Sequence, residues 1–506
     1  MNVGSPEYDY PPHGIGVVVF SGDLSALYRQ PRGLIEEPWP PVQLTYLGKY
    51  LAKLGCKTVV GEKHYIDRDY VDDVALFYSR SLRSYPNHCQ RLHFFSETFD
   101  EKRWRELVTA KSNRHAAEQL LQGSYLGFSV VRPLPGCPVG RTVLRTFPER
   151  TEDGSRREFG AIREYLVHLA GFRLSVMGLA FQQQDRGVSA CATTALWSSM
   201  HRAAHAEGLA VPTPAHITEA ASRYVLREGR SLPSDGLTLD QVCEAIRGAG
   251  LAPLVIRGLA PEHARAQLLG YTSSGFAPVL AIQARDSSLG HAVCGVGIKL
   301  GEVTPPDDAK FHYRDAATAV RGIYVHDDRL GPYASVDLYP YTAPQGVVKT
   351  GLQIRWPGEA TPAEDSLLTA LIVPVPLKLR LTIARMRSLG IGLADAIGHR
   401  IFPELDRLVT LNCRYRIATD YRAAAPGFGL SDEGLYVLTC ELVLSRYIGV
   451  IELSAPDGAL CDILLDATET EANPSVLACV RRRALPADGE RKLEALAVNL
   501  AARCIL

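Results

Sequence analysis

The chain of 506 residues is 46% apolar and 22% charged, which is typical of a globular protein with about two to four domains. Lys and Arg together number 55, as do Asp and Glu, so the balance gives no sign of the basic surface that binds nucleic acid. The short apolar run near the start has no basic segment before it, and no apolar run approaches about 18 residues, so we expect neither a signal peptide nor a membrane span.

The eleven cysteines are odd in number and scattered, without a Cys-x-x-Cys pair. That pattern fits neither a disulfide framework nor a zinc ribbon, and the sequence indicates no metal and no cofactor. We expect most of the cysteines to be small buried hydrophobic side chains in a reducing, cytoplasmic compartment.

The first predicted domain comprises residues 1–170 and opens with a strand, a helix and a second strand. An apolar run at 15–20 predicts the first strand, leucines at helical spacing predict a helix over 40–54, and an extended pattern resumes at 57–62. This order predicts an α/β unit of unknown role. No glycine-rich loop joins the first strand to the helix, so no motif indicates nucleotide binding.

Two polar stretches of this domain admit either a site or a structural interpretation. Residues 64–80 are rich in Tyr and Asp, which suits a metal or sugar site, or a solvated loop that starts a helix. His88, Cys89 and His93 could form part of a metal-ligand set, but no further ligand follows at a suitable spacing. We favour the structural interpretation of both stretches. A β-hairpin is predicted within residues 126–145.

The second predicted domain comprises residues 171–345 and contains a cysteine at a predicted helix start. Gln182, Gln183 and Gln184 lie in a polar turn that leads to Cys191, and the small and apolar residues after the cysteine predict a helix. A thiolate in the first turn of a helix is stabilised by the helix dipole. A glutamine just upstream can donate a hydrogen bond to an oxyanion, and we favour Gln184, then Gln183, as that donor.

A histidine and two carboxylates follow on predicted strands of the same domain. His291 opens an alternating run, and a later run ends at Asp327 and Asp328 before a turn. A thiol, an imidazole and an orienting acid are the groups that nucleophilic acyl chemistry requires. His326 is a rival base, but its place beside the acid favours a flanking role. Because successive strand residues face opposite sides, we expect only one of the two aspartates to reach His291.

The order of elements in this domain, with helices first and the strands that carry His291 and Asp327 later, predicts an α+β fold. Together with the residues around Cys191, it resembles the papain-like cysteine peptidase superfamily, and within it the bacterial double-glycine leader peptidases. In those enzymes a glutamine precedes the cysteine helix, a histidine opens a strand, and an Asp-Pro-x-x-Gly turn carries the acid. The corresponding turn here is Asp327-Asp328-Arg329-Leu330-Gly331.

The resemblance implies an α+β chain in which a papain-like core is flanked by two α/β or α+β segments. It implies that Cys191 is the nucleophile, His291 the general base and Asp327 the residue that orients the imidazole. Asp328 is the alternative acid.

The third predicted domain comprises residues 346–506 and carries no motif to which we assign a role. Its apolar and amphipathic patterns predict helices towards both ends and strands between them, over 377–389, 408–419, 435–453, 461–469 and 490–504.

We therefore expect a cysteine peptidase that cleaves an amide bond of a peptide or protein through an acyl-enzyme, with the flanking domains selecting the substrate. The alternatives are an acyl transferase or amidase with the same triad, and an inactive papain-like binding or scaffold protein. No nucleic-acid or membrane partner is expected, whereas the flanking domains could bind a protein partner.

Overall fold

The chain folds as an α+β protein in a computed structural model. The structure describes residues 14–28, 39–151, 154–185, 187–188, 190–223, 236–285, 290–305, 311–354, 364–405, 407–470, 475–485 and 487–506. Among these residues, none of the helices combines the length and the apolar character needed to cross a lipid bilayer.

The α-helices of the described residues are α1 (Val42–Lys53), α2 (Arg68–Leu76), α3 (Glu101–Thr109), α4 (Arg114–Ser124), α5 (Cys191–Ala206), α6 (Pro214–Ala221), α7 (Leu239–Gly248), α8 (Pro261–Ser273), α9 (Ile383–Ala396), α10 (Ala418–Ala424), α11 (Asp432–Tyr436) and α12 (Ala487–Asn499). The strands are β1 (Ile15–Val19), β2 (Thr58–Tyr65), β3 (Cys89–Phe95), β4 (Tyr125–Val131), β5 (Val139–Leu144), β6 (Arg156–Glu158), β7 (Arg163–Leu169), β8 (Phe172–Gly178), β9 (Ala252–Arg257), β10 (Val279–Ala284), β11 (Gly290–Leu300), β12 (Tyr313–Asp315), β13 (Val320–Asp327), β14 (Gly331–Thr342), β15 (Val348–Ile354), β16 (Glu364–Val375), β17 (Val409–Ile417), β18 (Tyr447–Ala455), β19 (Gly458–Asp466), β20 (Val476–Arg481) and β21 (Arg503–Ile505).

The first sheet is antiparallel throughout and pairs β1 to β5 in chain order. The predicted first strand, the helix after it, the second strand and the later hairpin all occur near their predicted positions. The predicted α/β unit is nevertheless wrong, because β1 and β2 run in opposite directions and an α/β unit needs parallel strands. Because the connection between β1 and α1 is long, it allows β2 to run in either direction relative to β1. The described part of residues 1–170, which we call the N-terminal region, is therefore α+β.

The central sheet closes on itself. Its strands follow the order β10-β11-β13-β14-β15-β16, and β10 also pairs with β16, so these strands form a ring of antiparallel neighbours. The long strand β16 allows this closure, because its start pairs with β15, its middle with β10 and its end with β9. Helix α5 packs against β10, β11 and β13, and its Trp197 is fully buried.

Both predicted domain boundaries cut through these elements. The boundary after residue 170 lies in the turn of the β7–β8 hairpin, and one buried apolar cluster extends from Leu24 to Ile372. The boundary after residue 345 separates β15 and β16 from the ring to which they belong. The C-terminal sheet, β12-β17-β18-β19-β20-β21, packs on two further clusters. Local composition does not reveal these boundaries, because strand pairing joins segments far apart in sequence.

The C-terminal region contains one stretch in which the predicted secondary structure is wrong. The sequence predicts strands over 435–453, but the start of this stretch continues helix α11, and the strand begins only at Tyr447. The Ser431 hydroxyl caps α11 by accepting the N–H of Gly434. An apolar run without clear alternation suits either structure, and here the cap favours the helix. The other predicted elements occur as α9, β17, β19 and α12 with shifted ends.

The polar stretches of the N-terminal region have structural partners. Asp67 caps α2 and pairs with Arg141, and Asp73 accepts the backbone N–H of Ala215. The two ring nitrogens of His93 lie 2.9 Å from the Tyr125 hydroxyl and 2.9 Å from a Glu62 carboxylate oxygen. These contacts support the structural interpretation of both stretches.

A substitution at Gly127 in β4 tests how closely β4 and β5 approach each other. Its φ is 128°, and a Cβ atom there would lie 2.1 Å from the Val143 carbonyl oxygen. Gly14 has a φ of 127° with no atom within 4 Å of the Cβ position, so it is a matched control. We expect Gly127→Ala to lower the free energy of unfolding by about 2–4 kcal/mol and Gly14→Ala by only about 1 kcal/mol, because only the first adds a steric overlap to backbone strain. Urea unfolding measures both, and equal losses would contradict the close approach.

Candidate active site

Cys191 is the first residue of α5, so its thiol lies at the positive end of a helix of 16 residues. The residue before it, Ala190, has no side-chain acceptor to cap the helix. The N–H groups of the first turn are therefore left to act on the thiol or on a bound ligand. The thiol is partly exposed, whereas the rest of α5 is mostly buried against the central sheet.

Strand pairing brings His291 and Asp327 together. His291 is at the start of β11 and Asp327 at the end of β13, and these strands pair with Cys294 opposite His326. The His291 Nε2 atom lies 2.9 Å from Asp327 Oδ1, and both side chains are at least nine-tenths buried. This hydrogen bond fixes the orientation of the imidazole, as the sequence analysis predicts for an orienting acid.

The imidazole also contacts the thiol. The thiol of Cys191 lies close enough to the His291 side chain to contribute to the raised pKa of this imidazole. Because Asp327 holds Nε2, Nδ1 is the ring nitrogen left for the thiol. The structure therefore brings Cys191, His291 and Asp327 together in one site.

The charges of this chain favour a protonated imidazole. Burial lowers the pKa of His291, but the negative charge of Asp327 and the hydrogen bonds to Asp327 and Cys191 outweigh burial and raise the pKa to about 10. Burial likewise raises the pKa of Asp327, but the charge and hydrogen bond of His291 outweigh it and hold the pKa at about 2. Near neutral pH, these charges favour an imidazolium beside the Asp327 carboxylate.

The expectation that only one aspartate can reach His291 is wrong. Asp328 Oδ1 lies 3.8 Å from His291 Nε2, and the pairing of β13 with β14 is irregular just before the turn. The turn therefore brings the second carboxylate back towards the ring instead of to the opposite face. Asp328 is 3% exposed, and burial raises its pKa to about 7. Since Asp327 makes the shorter contact, it remains the better orienting group.

The same three residues have the donor types of a metal site. His291, Asp327 and Asp328 each offer one ligand atom, and these atoms lie within 4.8 Å of one another. A divalent cation bound there would take the Nε2 lone pair and both carboxylates. It would therefore displace the hydrogen bond that orients the imidazole.

His326, the rival base, has a different environment. Its Nδ1 lies 3.2 Å from the Ala180 carbonyl oxygen, and its ring meets those of Phe181 and Tyr333 edge-on. Burial lowers the pKa of His326 to about 3, so the ring is neutral. This histidine flanks the acid, as the sequence analysis proposes.

The three glutamines differ in their surroundings. The Gln183 amide donates to the Gly136 carbonyl and its oxygen accepts the N–H of Val139, so this side chain is engaged by the β4–β5 hairpin. Gln184 is half-buried, and Gln182 is buried with no hydrogen-bond partner on its amide nitrogen. Gln184 stays the preferred oxyanion donor, and Gln182 replaces Gln183 as the second candidate.

A scan against models of known protein families finds no match for this chain, and a search of curated proteins finds no significant one.

The two aspartates are expected to affect stability in opposite directions. The raised pKa of Asp328 costs stability as pH rises through the window from about 4, the ordinary value, to about 7. The lowered pKa of Asp327 adds stability above about 4 that is lost as pH falls towards 2. We expect Asp328→Asn to raise the free energy of unfolding at pH 8 by on the order of 1 kcal/mol or more, and Asp327→Asn to lower it.

Urea unfolding of both variants at pH 4 and pH 8 measures these effects. At pH 4, the gain from Asp328→Asn is expected to disappear, because the wild-type carboxyl is then protonated in the folded state. A gain that is the same at both pH values would show that burial of the Asp328 charge is not its cause.

Proposed function

We propose that this chain is a cysteine peptidase that hydrolyses an amide bond of a peptide or protein through an acyl-enzyme. The observation that carries the proposal is the proximity of three groups: the Cys191 thiol at the start of a mostly buried helix, the His291 imidazole, and the Asp327 carboxylate hydrogen-bonded to that imidazole. A nucleophile, a base and an orienting acid in this order are the groups that acyl transfer requires.

The fold around these residues supports a papain-like arrangement of the core. Helix α5 carries the cysteine and packs against a ring of antiparallel strands, and adjacent strands of that ring carry the histidine and the acid. This is the order of elements on which the resemblance to papain-like peptidases rests.

In the proposed reaction, the proton of Cys191 resides on His291, as the charge of Asp327 favours, and the sulfur is a thiolate. The thiolate attacks the carbonyl carbon of the substrate, and the π electrons move to the oxygen. The Cys191 N–H and the amide of Gln184 or Gln182 would stabilise this oxyanion. The imidazolium then gives its proton to the leaving amine as the C–N bond breaks. Water, deprotonated by His291, releases the acid product and restores the thiol.

Selective alkylation tests the thiol–imidazole pair. Most of the other cysteines are buried, as expected, but Cys440 is exposed, so it would also react with iodoacetamide. In a Cys440→Ala background at pH 6, we expect Cys191 to be alkylated at least about 10-fold faster than any other cysteine, because ordinary thiols are almost fully protonated there.

Peptide mapping by mass spectrometry after limited labelling gives the rate at each cysteine. We expect His291→Ala to slow the labelling of Cys191 by about 10-fold or more, and His326→Ala, which does not contact the thiol, to be the control histidine change. Equal labelling of Cys191 with and without His291 would refute the pair.

Hydrolysis is tested with a mixed peptide library and mass spectrometric detection of new termini. We expect cleavage by the wild type and none by Cys191→Ala. Gln184→Ala is expected to lower turnover by about 10²–10³-fold if this amide is the oxyanion donor, and Gln182→Ala if the buried amide is. Rapid Cys191 labelling without any cleavage would favour transfer to an acceptor other than water.

A further inference from the structure

We propose that Arg132 is a positioning residue of the active site, and that the N-terminal region is therefore part of the catalytic unit and not a separate module. This inference rests on the proposed function. It concerns the approach loop, which we define as the described part of residues 182–190, the segment that carries the glutamines and leads to Cys191.

Arg132 follows β4 and reaches the approach loop from the N-terminal region. Its guanidinium donates to the carbonyl oxygen of Gln183 at 2.6 Å, and to those of Val139 and Cys137 at 3.3 and 3.4 Å. The same side chain lies 3.7 Å from an Asp185 carboxylate oxygen and is 2% exposed. The buried Arg132 guanidinium thus links the β4–β5 hairpin to two residues of the approach loop, Gln183 and Asp185.

Asp185, which pairs with Arg132, also binds the backbone of the approach loop. Its Oδ1 atom accepts the backbone N–H groups of Gly187 and Val188 at 2.8 and 2.6 Å. Tyr78, also from the N-terminal region, lies against Gly187, where a Cβ atom would be 3.0 Å from the ring. Contacts to side-chain atoms and to backbone atoms therefore both fix the approach loop just before Cys191.

The N-terminal region also supports the other half of the site. Gln43 on α1 donates to the Asp328 carbonyl oxygen at 2.9 Å, and the Tyr46 hydroxyl donates to that of Pro332 at 3.0 Å. Gly331 packs against the Tyr46 ring so closely that a Cβ atom would lie 2.2 Å from it. One region of the chain thus contacts both the acid turn and the approach loop.

The physical reason for this support is the precision that an oxyanion donor needs. A donor must be held within about 0.5 Å of its productive position, and the approach loop has no regular hydrogen-bonded ladder of its own over most of its length. Helix α5 and strands β11 and β13 position the thiol, imidazole and acid, but the glutamines depend on the loop. Loss of the Arg132 contacts should therefore impair oxyanion stabilisation and leave the thiol–imidazole pair in place.

Two reagents that react with the same thiol separate these effects. Iodoacetamide alkylates Cys191 by displacement of iodide, with no oxyanion. p-Nitrophenyl acetate transfers its acetyl group to Sγ through an oxyanion and releases p-nitrophenolate. We expect Arg132→Lys, which keeps the buried charge but loses the fork of donors, to slow acylation by about 10-fold or more and alkylation by less than about 3-fold, with an unchanged pH profile of alkylation.

Arg145→Lys is the matched control, because Arg145 also donates to backbone carbonyls of the N-terminal region, those of Gln122 and Gly123, but does not contact the loop. Both rates are expected to stay within about 3-fold of the wild type in this control. Should Arg132→Lys fail to fold, Asp185→Asn in the full chain decides by the same comparison, because it weakens the pairing with Arg132 and keeps an acceptor for the loop N–H groups.

Unchanged acylation, or acylation and alkylation that fall together, would overturn the positioning role of Arg132. Failure of the proposed function has a different signature, since the wild type itself would then show no His291-dependent alkylation of Cys191. That result would remove the positioning role as well, whereas an active wild type with no separation between the two rates would remove the positioning role alone.

Discussion

The candidate site depends on the hydrogen bond between His291 Nε2 and Asp327 Oδ1. It is made between the start of β11 and the end of β13, so the pairing of these two strands determines whether the bond can form. The removal of both groups from water offsets much of their attraction, but the loss of one partner would leave the other buried and unpaired. The main effect of the His291–Asp327 hydrogen bond is on the location of a proton. The Asp327 charge favours an imidazolium, which can hold the proton of the thiol.

A second carboxylate makes the electrostatics of this site unusual. Asp327 and Asp328 both lie near the same ring nitrogen, and two like charges in a buried space cannot both ionise freely. Burial acts on both, but the shorter contact with His291 lowers the pKa of Asp327, whereas that of Asp328 rises. Asp328 therefore gains or loses its proton near neutral pH. When it is ionised, its negative charge adds to that of Asp327 and stabilises the imidazolium further.

Elements from distant parts of the chain together position the residues of the candidate site. Helix α5 places the thiol, the ring of strands places the base and the acid, and contacts from the N-terminal region reach the glutamine-bearing loop and the acid turn. A single apolar cluster connects these regions, so they pack as one body. The C-terminal sheet has its own clusters and includes strand β12, which comes from the middle of the chain, so its fold too depends on distant segments.

The sequence by itself determined the identities and local settings of the main site residues. A polar turn before Cys191, a strand opening at His291 and a turn at Asp327 are all local patterns, and local hydrogen bonding and apolar periodicity decide such patterns. Several strands and helices, among them β1, α1, β17 and β19, could be predicted for the same reason. The helix at residues 435–441 could not, because its apolar run fits both periods.

The tertiary structure alone decided which of these patterns meet in space. The closure of the central ring through β16, the antiparallel direction of β2 and the return of Asp328 towards His291 each depend on contacts between segments far apart in sequence. Arg132 had no signal in the sequence, since a buried arginine before a proline is noticed only when its carbonyl and carboxylate partners are known. Local propensity specifies elements, whereas pairing and burial between distant elements specify which side chains form a site.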